Sequence, residues 1–438
     1  MKLRTEKAIY GGNMLARIPA GAEPELAGKA VFVHGALPGE LVDAEVTKQR
    51  RSYGSASVTN VLEASPARID PSCEYYGQCG GCHYQHAAYD AQLVMKREIL
   101  AETFTRGHVD IPLEIRTLAA EPWGYRSRIR LHVIPGSRPR LGYRELASHK
   151  DLAVSHCPVA APLLQQGVAA LEEAFSKHPE LAARFVEVEF FCNAEESALL
   201  ISLFTLQASV PRSLPRCLAE ALLGDVPQLL GLTAFSLDAK TRHIAQVASW
   251  GDDALAYEIN GFAYRVSAGA FFQVNRRLLP QLLQEVVGGR GGDVAWDLYA
   301  GVGLFACALQ GFGEVVAVES SPLSTADLAF NLQTARGRQR GAARSVVLDT
   351  LRFLKSPLGG RPDLVIVDPP RAGLGAEVCQ RLGALQPKQI VYVSCDPATL
   401  TRDLRALQPS GYRPAAVTLV DLFPQTFHME TVATLERA

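Results

Sequence analysis

The chain has 438 residues, 48% hydrophobic and 20% charged, with a formal net charge of −1. That length accommodates two or three domains with cores of their own, and the composition excludes a disordered or fibrous protein. No run of about 18 uncharged apolar residues is present and the charged opening "MKLRTEK" lacks the apolar core of a secretory signal, so a cytoplasmic protein without a membrane partner is expected.

Residues 1–65 carry short β-like runs, "KAVFVHG" (29–35), "ELVDAEVTK" (40–48) and "SASVTNVLE" (55–63), punctuated at "YGGNMLARI" and "GALPGE". Short strands at regular spacing between Gly/Pro turns predict a small OB-like β-barrel. "SPARIDPSC" marks a boundary, and "CEYYGQCGGCHYQH" (73–86) follows it. The chain has nine cysteines, and in a reducing compartment a cluster of them points to metal or catalysis before disulfides. Cys73, Cys79 and Cys82 form a C-x5-C-x2-C array, and Cys157 in "HCPV" supplies a fourth thiol. Four thiolates suit tetrahedral zinc or a cubane iron–sulfur cluster, and the three-plus-one spacing with Pro158 after the fourth favours the cluster. Cys192, Cys217, Cys307 and Cys379 sit in apolar or helical contexts and read as small core residues.

Residues 88–106 read as an amphipathic helix, and the stretch from about 115 to 250 mixes strands with helices as an α+β unit. Within it, residues 122–144 hold six arginines and no acid, interleaved with Trp123, Tyr125 and Tyr143. With "KQRRSY" (48–53) and "RGRQRGAAR" (336–344), this run could supply phosphate contacts and stacking planes for RNA, or simply a solvated strand face.

From residue 294 the rhythm changes. "VAWDLYAG", "EVVAVES", "SVVLDT", "DLVIVDPP" and "QIVYVSCD" are buried strands alternating with helices, the pattern of a doubly wound parallel sheet. "AAVTLVDLF" and "ETVATLER" then predict a closing antiparallel hairpin. The expected domains are 1–65, 66–255 and 256–438. In open α/β sheets the chemistry gathers at the carboxyl ends of the strands. There the sequence places Asp297 and the turn Gly301-Val-Gly303, Glu319, Asp368-Pro-Pro, and Cys395. A glycine turn without a Lys-Ser/Thr partner, followed 22 residues after Asp297 by an acid able to hold ribose hydroxyls, favours an adenosine ligand such as S-adenosylmethionine over a dinucleotide. A thiol opening a helix is expected to have its thiolate favoured by the amides there, although Asp396 opposes this.

Together these segments resemble the RNA uracil-5-methyltransferase family over nearly the whole length. The resemblance implies a Rossmann-like S-adenosylmethionine-dependent domain at the C-terminus, a TRAM barrel at the N-terminus, and methylation of carbon 5 of a uridine in RNA. The TRAM-like segment tilts the expectation toward 23S rRNA, with tRNA as the alternative. "CEYYGQCGGCHYQH" with "HCP" implies a 4Fe–4S cluster on Cys73, Cys79, Cys82 and Cys157. "FFQVN" implies cofactor contact by Gln273, "DLYAGVG" by Tyr299 and Gly301, "VES" by Glu319, "SVVLDT" by Asp349 and "DPPRAG" by Asp368. "SCDP" implies Cys395 as nucleophile, and "DLFPQTFHMETV" (421–432) implies Glu430 as base, with His428 the other base candidate in that motif. Leu304 stands where some members carry a polar residue. A cytosine-5 RNA methyltransferase would use the same thiol addition, typically from a Pro-Cys motif. A radical enzyme would carry C-x3-C-x2-C, and a non-catalytic RNA-binding protein would need neither Cys395 nor Glu430. A monomer is the expected state.

Overall fold

Alternation of apolar and polar residues builds the N-terminal unit. In this computed structural model, which describes residues 1–19, 27–112, 114–241, 243–335, 340–356 and 361–437, five strands close into a barrel. They are β1 (Lys2–Ile9), β2 (Asn13–Arg17), β3 (Ala30–His34), β4 (Leu41–Gln49) and β5 (Tyr53–Glu63), in the order β1-β2-β3-β5-β4. Leu3, Met14, Val31, Val33 and Val42 point inward and are fully buried. The first two strands escape the sequence reading. In β1 charged residues occupy the outward positions and dilute the apolar signal, and "YGGNMLARI", read as punctuation, is a turn followed by β2. Gly11 and Gly12 take φ of +105° and +88° in that turn, a region where only glycine is at ease.

Helix α1 (Tyr89–Arg106) and the short strand β6 (Arg116–Leu118) follow. The central sheet comprises β7 (Arg128–Ile134), β8 (Arg140–Arg144), β9 (Asp151–Ala153), β10 (Glu187–Cys192), β11 (Leu199–Thr205), β12 (Leu229–Leu237) and β13 (Ile244–Gly251), in the order β13-β12-β11-β10-β7-β8-β9. Helices α2 (Pro162–Lys177), α3 (Pro179–Ala182) and α4 (Leu214–Leu222) accompany it, and every residue of β11 is buried. The hairpin β14 (Ala254–Ile259) and β15 (Phe262–Ser267) turns on Asn260-Gly261, both at positive φ, as a two-residue hairpin requires.

The C-terminal sheet contains β16 (Gly292–Leu298), β17 (Phe312–Glu319), β18 (Ala342–Val347), β19 (Leu364–Val367), β20 (Gln389–Ser394), β21 (Tyr412–Val420) and β22 (Glu430–Arg437). Its order is β18-β17-β16-β19-β20-β22-β21-β6. The first five are parallel, β22 runs antiparallel to β20, and β21 and β22 form the expected antiparallel pair. Helices α5 (Leu279–Val287), α6 (Pro322–Ala335), α7 (Thr350–Lys355), α8 (Gly375–Leu385) and α9 (Pro397–Leu407) complete the unit. The sheet separates two apolar cores, with Trp296, Val316 and Tyr392 on one face and Ala295, Ala317 and Val391 on the other. Strand order reverses between β16 and β19, where a doubly wound sheet opens a crevice. β6 extends the far edge of this sheet by pairing with β21, and α1 packs against α9 and β1. Among the described residues no helix is long and apolar enough to cross a membrane.

The arginine run lies largely along the central sheet. Arg128, Arg130, Arg140 and Arg144 pair with Glu189, Glu187, Glu172 and Asp151. Arg128 and Arg130 also lie 3.8 and 3.7 Å over the rings of Phe191 and Phe204. Tyr125 is fully buried and Tyr143 packs on the core. Most of the run is therefore internal pairing rather than a free phosphate-binding stripe, because β9, β10 and α2 supply carboxylates that the local sequence does not display. In the third basic segment, residues 336–339 lie outside the described residues.

Candidate active site

The site is assembled at the carboxyl ends of four parallel strands and the start of the antiparallel β22. After β16 the backbone turns at Tyr299 (φ +66°), Gly301 (+55°) and Gly303 (+93°). The last two are glycine for different reasons. A Cβ on Gly301 would meet nothing within 4 Å, so its conformation alone selects glycine, whereas one on Gly303 would lie 2.8 Å from Leu328 Cδ1. Glu319, ending β17, accepts the Gly301 N–H at 2.9 Å and those of Ser320 and Ser321 at 2.7 and 2.6 Å. A carboxylate has about four lone-pair sites, so Glu319 can fix the turn and still accept a hydroxyl. Beneath it, Asp297 accepts the Ala306 N–H at 2.9 Å, and its other oxygen has no hydrogen-bond partner among the described residues. Burial pushes this carboxyl up to about 8.

Asp368 follows β19, and Pro369 and Pro370 stiffen the chain behind it. Burial pushes Asp368 up to about 7, opposed by the Gln273 amide at 3.5 Å. Cys395 follows β20 and Glu430 opens β22. The last ladder pair is Ser394 with Thr431, so the next positions outward on the two neighbouring strands are Cys395 and Glu430. Glu430 is 3% exposed. Burial drives its carboxyl well above the usual carboxylate range, Asp368 adds to this, and the Arg371 guanidinium works against it.

The expected stabilisation of the Cys395 thiolate by helix amides is not found. α9 begins at Pro397, and Asp396 caps it by accepting the N–H groups of Ala398 and Thr399 at 3.0 and 2.8 Å. With those amides engaged, burial and the neighbouring Glu430 raise the thiol to about 11, Asp368 adds to the rise, and Arg371 opposes it.

Gln273, Tyr299, Gly301, Glu319, Asp368, Cys395 and Glu430 all line one cavity of about 600 Å³. Leu304 lies in its wall, where its apolar side chain makes a hydrophobic surface. Asp349 is not part of the lining. It caps α7, accepting the Arg352 N–H at 3.0 Å and pairing with that guanidinium at 3.1 Å. Two side chains that the sequence reading passed over belong here. Arg371 lines the cavity within the same "DPPR" motif. Tyr10, in the β1–β2 turn of the barrel, donates to the Cys395 carbonyl at 3.5 Å and meets Phe427 edge-on at 5.4 Å. No local signal joins residues so far apart in sequence.

A second cavity, of about 570 Å³, is lined by Cys73, Cys79, Cys82 and Cys157 with Arg126, Arg128 and Arg130, and shares Phe271 and Phe272 with the first. The four thiols are free and half-buried. Burial raises Cys73 and Cys79 and lifts Cys82 to about 12. Among the described residues no group of three or more His, Cys, Asp or Glu side chains is gathered as for a single metal ion.

Comparison with known proteins fits this geometry. The tRNA (uracil-5-)-methyltransferase family profile matches residues 361–438, which include Asp368, Cys395 and Glu430, and the TRAM domain profile matches residues 5–59. A 23S rRNA (uracil(1939)-C(5))-methyltransferase RlmD of Chromohalobacter salexigens is 33% identical over 99% of this chain and 89% of its own length. The chain belongs to the RNA uracil-5-methyltransferase family. An uncharacterized RNA methyltransferase of Aquifex aeolicus is 31% identical over 100% of this chain and 98% of its own. The solved Pyrococcus abyssi tRNA (uracil-54, C5)-methyltransferase superposes with a TM-score of 0.77 over 99% of this chain and all of that one, at 23% identity, a likeness of fold. The protein is thus an S-adenosylmethionine-dependent RNA uracil-5-methyltransferase with an N-terminal TRAM domain.

Proposed function

We propose that this methyltransferase modifies a uridine of 23S rRNA, the one equivalent to position 1939, with Cys395 as nucleophile and Glu430 as base. The target follows the names of full-length relatives, since the tRNA-directed neighbour is alike in fold alone. The observation that carries the chemistry is the juxtaposition of Cys395 and Glu430 on adjacent strand ends, facing one cavity with Asp368 and Gln273.

Carbon 5 of uracil is too weak a nucleophile to take a methyl group unaided. Addition of the Cys395 sulfur to carbon 6 as the thiolate, its proton released to solvent, places enolate character on the ring and makes carbon 5 electron-rich. S-adenosylmethionine, for which Gln273, Tyr299, Glu319 and Asp368 would supply polar contacts beside the glycine turn at Gly301, would provide the electrophilic methyl group that carbon 5 takes, with S-adenosylhomocysteine as the product released. Glu430 then removes the proton left on carbon 5, and the Cys395 sulfur departs. Basicity favours Glu430 over His428 in that role. Burial and Arg371 lower the His428 imidazole to about 4, while Glu430 is raised, and the more basic group is the better proton acceptor. The ring must leave its stack to meet both groups, which suits a loop or single-stranded target. Phe271, 66% exposed at the wall shared by the two cavities, offers an aromatic face for an unstacked base.

We further infer a 4Fe–4S cluster on Cys73, Cys79, Cys82 and Cys157. Four thiols face one cavity, and Cys157 lies within electrostatic reach of the other three. Cubane irons sit at separate corners, so their ligand sulfurs stand farther apart than around a single ion. The bound cluster would cross-link the 73–82 loop to the segment at Cys157.

RNA containing 5-fluorouridine tests the mechanism, because fluorine on carbon 5 cannot leave as a proton. With S-adenosylmethionine and a 23S fragment, a denaturation-resistant protein–RNA band is expected, and Cys395→Ala should abolish it. A band on tRNA alone would move the target assignment. No band on any RNA, with cofactor binding intact, would overturn the covalent route.

A further inference from the structure

The loop 421–429 delivers Glu430 to the cavity, yet it is neither helix nor strand. Its conformation must be held from outside, and it is held carbonyl by carbonyl. The Asn275 amide donates to the carbonyls of Asp421 (3.4 Å) and Leu422 (3.1 Å). Lys96 Nζ donates to that of Phe423 (3.0 Å) and the Tyr125 hydroxyl to that of Pro424 (3.1 Å). The N–H groups of His83 and Tyr84 donate to that of Gln425 (2.8 and 3.0 Å). Five consecutive carbonyls are thus fixed by residues remote in sequence.

The tightest part of this array comes from α1. Gln92, 1% exposed, makes a reciprocal pair with Gln425. Its Nε2 donates to Gln425 Oε1 at 2.9 Å, and its Oε1 accepts the Gln425 N–H at 3.0 Å. The same Nε2 reaches the carbonyls of Tyr84 and Ala87 at 3.1 and 2.9 Å. Gln425 itself is held at φ +67°, a conformation costly for a residue with a side chain unless its surroundings impose it. One turn further along α1, Lys96 pairs with Asp421 at 2.5 Å with both side chains fully buried, and Tyr89 donates to the other Asp421 oxygen at 2.8 Å.

We propose that Gln92 and Lys96 of α1 are positioning residues for the proton-removal step: they clamp the 421–425 loop so that Glu430 meets carbon 5 of the methylated adduct. Neither side chain lines the catalytic cavity, so neither acts on substrate. Misplacement of a reacting group by about 1 Å can cost on the order of 100-fold in rate, and release of this loop would shift Phe423 and His428 in the cavity wall and, through them, Glu430 at the loop's end. The inference rests on the reading of Glu430 as the base.

The test uses the full chain with unmodified 23S fragment and S-adenosylmethionine, scoring turnover, the KM for the cofactor, and covalent protein–RNA product on denaturing gels. Gln92→Leu keeps the size of the side chain and removes both bonds to Gln425. Expected are a roughly 10- to 100-fold lower kcat, a cofactor KM changed by less than about threefold, and accumulation of methylated covalent adduct. Gln425→Gly, which keeps the turn and the backbone N–H but loses the side-chain oxygen, should give a smaller effect of the same kind. Glu430→Gln serves as reference. If it forms no adduct, the assignment of the base fails. If it does while Gln92→Leu stays fully active, or loses activity without adduct, the clamp alone is overturned. Should Gln92→Leu not fold, Tyr125→Phe deletes one hydroxyl donor to the loop and carries the same test with the same two outcomes.

Discussion

The two cavities share Phe271 and Phe272 and differ little in size, yet they are built in opposite ways. The catalytic cavity is made of strand ends: a parallel sheet fixes the backbone to the last residue of β16, β17, β19 and β20, Asp368 and Cys395 are the next residues out, and Glu430 opens the antiparallel β22 beside them. The cysteine cavity has strands β7, β8 and β10 in its wall, but its thiols lie outside any strand, with Cys73, Cys79 and Cys82 spaced along one loop and Cys157 on another. A sheet imposes positions on side chains whether or not anything is bound. A loop depends on cross-links to keep four thiols facing inward. The first cavity should therefore respond to mutation in its chemistry, and the second in its integrity.

The largest effect expected in the catalytic cavity is that of Glu430→Gln. Loss of a general base costs about 10²–10⁴ in turnover, and here it should leave methylated RNA bound to Cys395. Normal turnover by this variant would remove Glu430 from the base role. Next comes pH. Asp368 is lifted to about 7 and Glu430 is raised with it, so both are neutral in acid and gain charge as pH rises. Two acids sharing one cavity ionise in steps that belong to the pair as a whole. On this basis kcat/KM should climb with pH, by up to about tenfold per unit below pH 7, and Asp368→Asn should alter the profile. A flat profile from pH 5.5 to 8 would contradict the raised carboxyls.

In the cysteine cavity the corresponding change is Cys82→Ser. Loss of one ligand should remove iron and lower Tm by roughly 5–10 °C, as a loss of a few kcal/mol does in domains of this size. Protein purified without oxygen should be brown, with about four irons per chain. A colourless, zinc-bearing wild type would replace the cluster reading with a zinc site.

The same contrast explains what the sequence revealed. Asp297, Glu319, Asp368 and Cys395 were legible because each ends or follows a buried apolar run that can be read without knowing its neighbours, whereas Glu430, which opens its strand, was indicated only by the family resemblance. The cysteine spacing was legible for a similar reason, being local. What escaped was non-local. Strand β6 is three residues long, and nothing in "RTL" announces that it pairs with β21. Arginines that read as an RNA-facing stripe find Glu187 and Glu189 on β10 and Glu172 on α2. Tyr10 reaches Cys395 from the barrel. The thiolate expectation failed through the side chain of Asp396, which takes the helix amides that the thiol was expected to meet.

The smallest expected effect separates the two cavities by stability rather than rate. Asp297 is fully buried under the glycine turn, with its carboxyl raised to about 8 from about 3.9 in an unfolded chain. The folded state therefore holds a proton that the unfolded state releases. The stability associated with that proton is complete below about pH 4 and is lost as pH rises toward 8. Asp368 and Glu430 push in the same direction, so Tm of the wild type should fall between pH 5.5 and 8.5. The half-buried thiols of Cys73, Cys79 and Cys82, also raised by burial, enter only as pH approaches the ordinary thiol value of about 8.5, at the alkaline edge of this window. Asp297→Asn supplies a neutral side chain of the same shape whose carbonyl can still accept the Ala306 N–H. The variant should show a shallower decline and gain on the wild type at the alkaline end. Parallel Tm curves for the two proteins would mean that Asp297 is already ionised in the fold, with a compensating donor at its second oxygen.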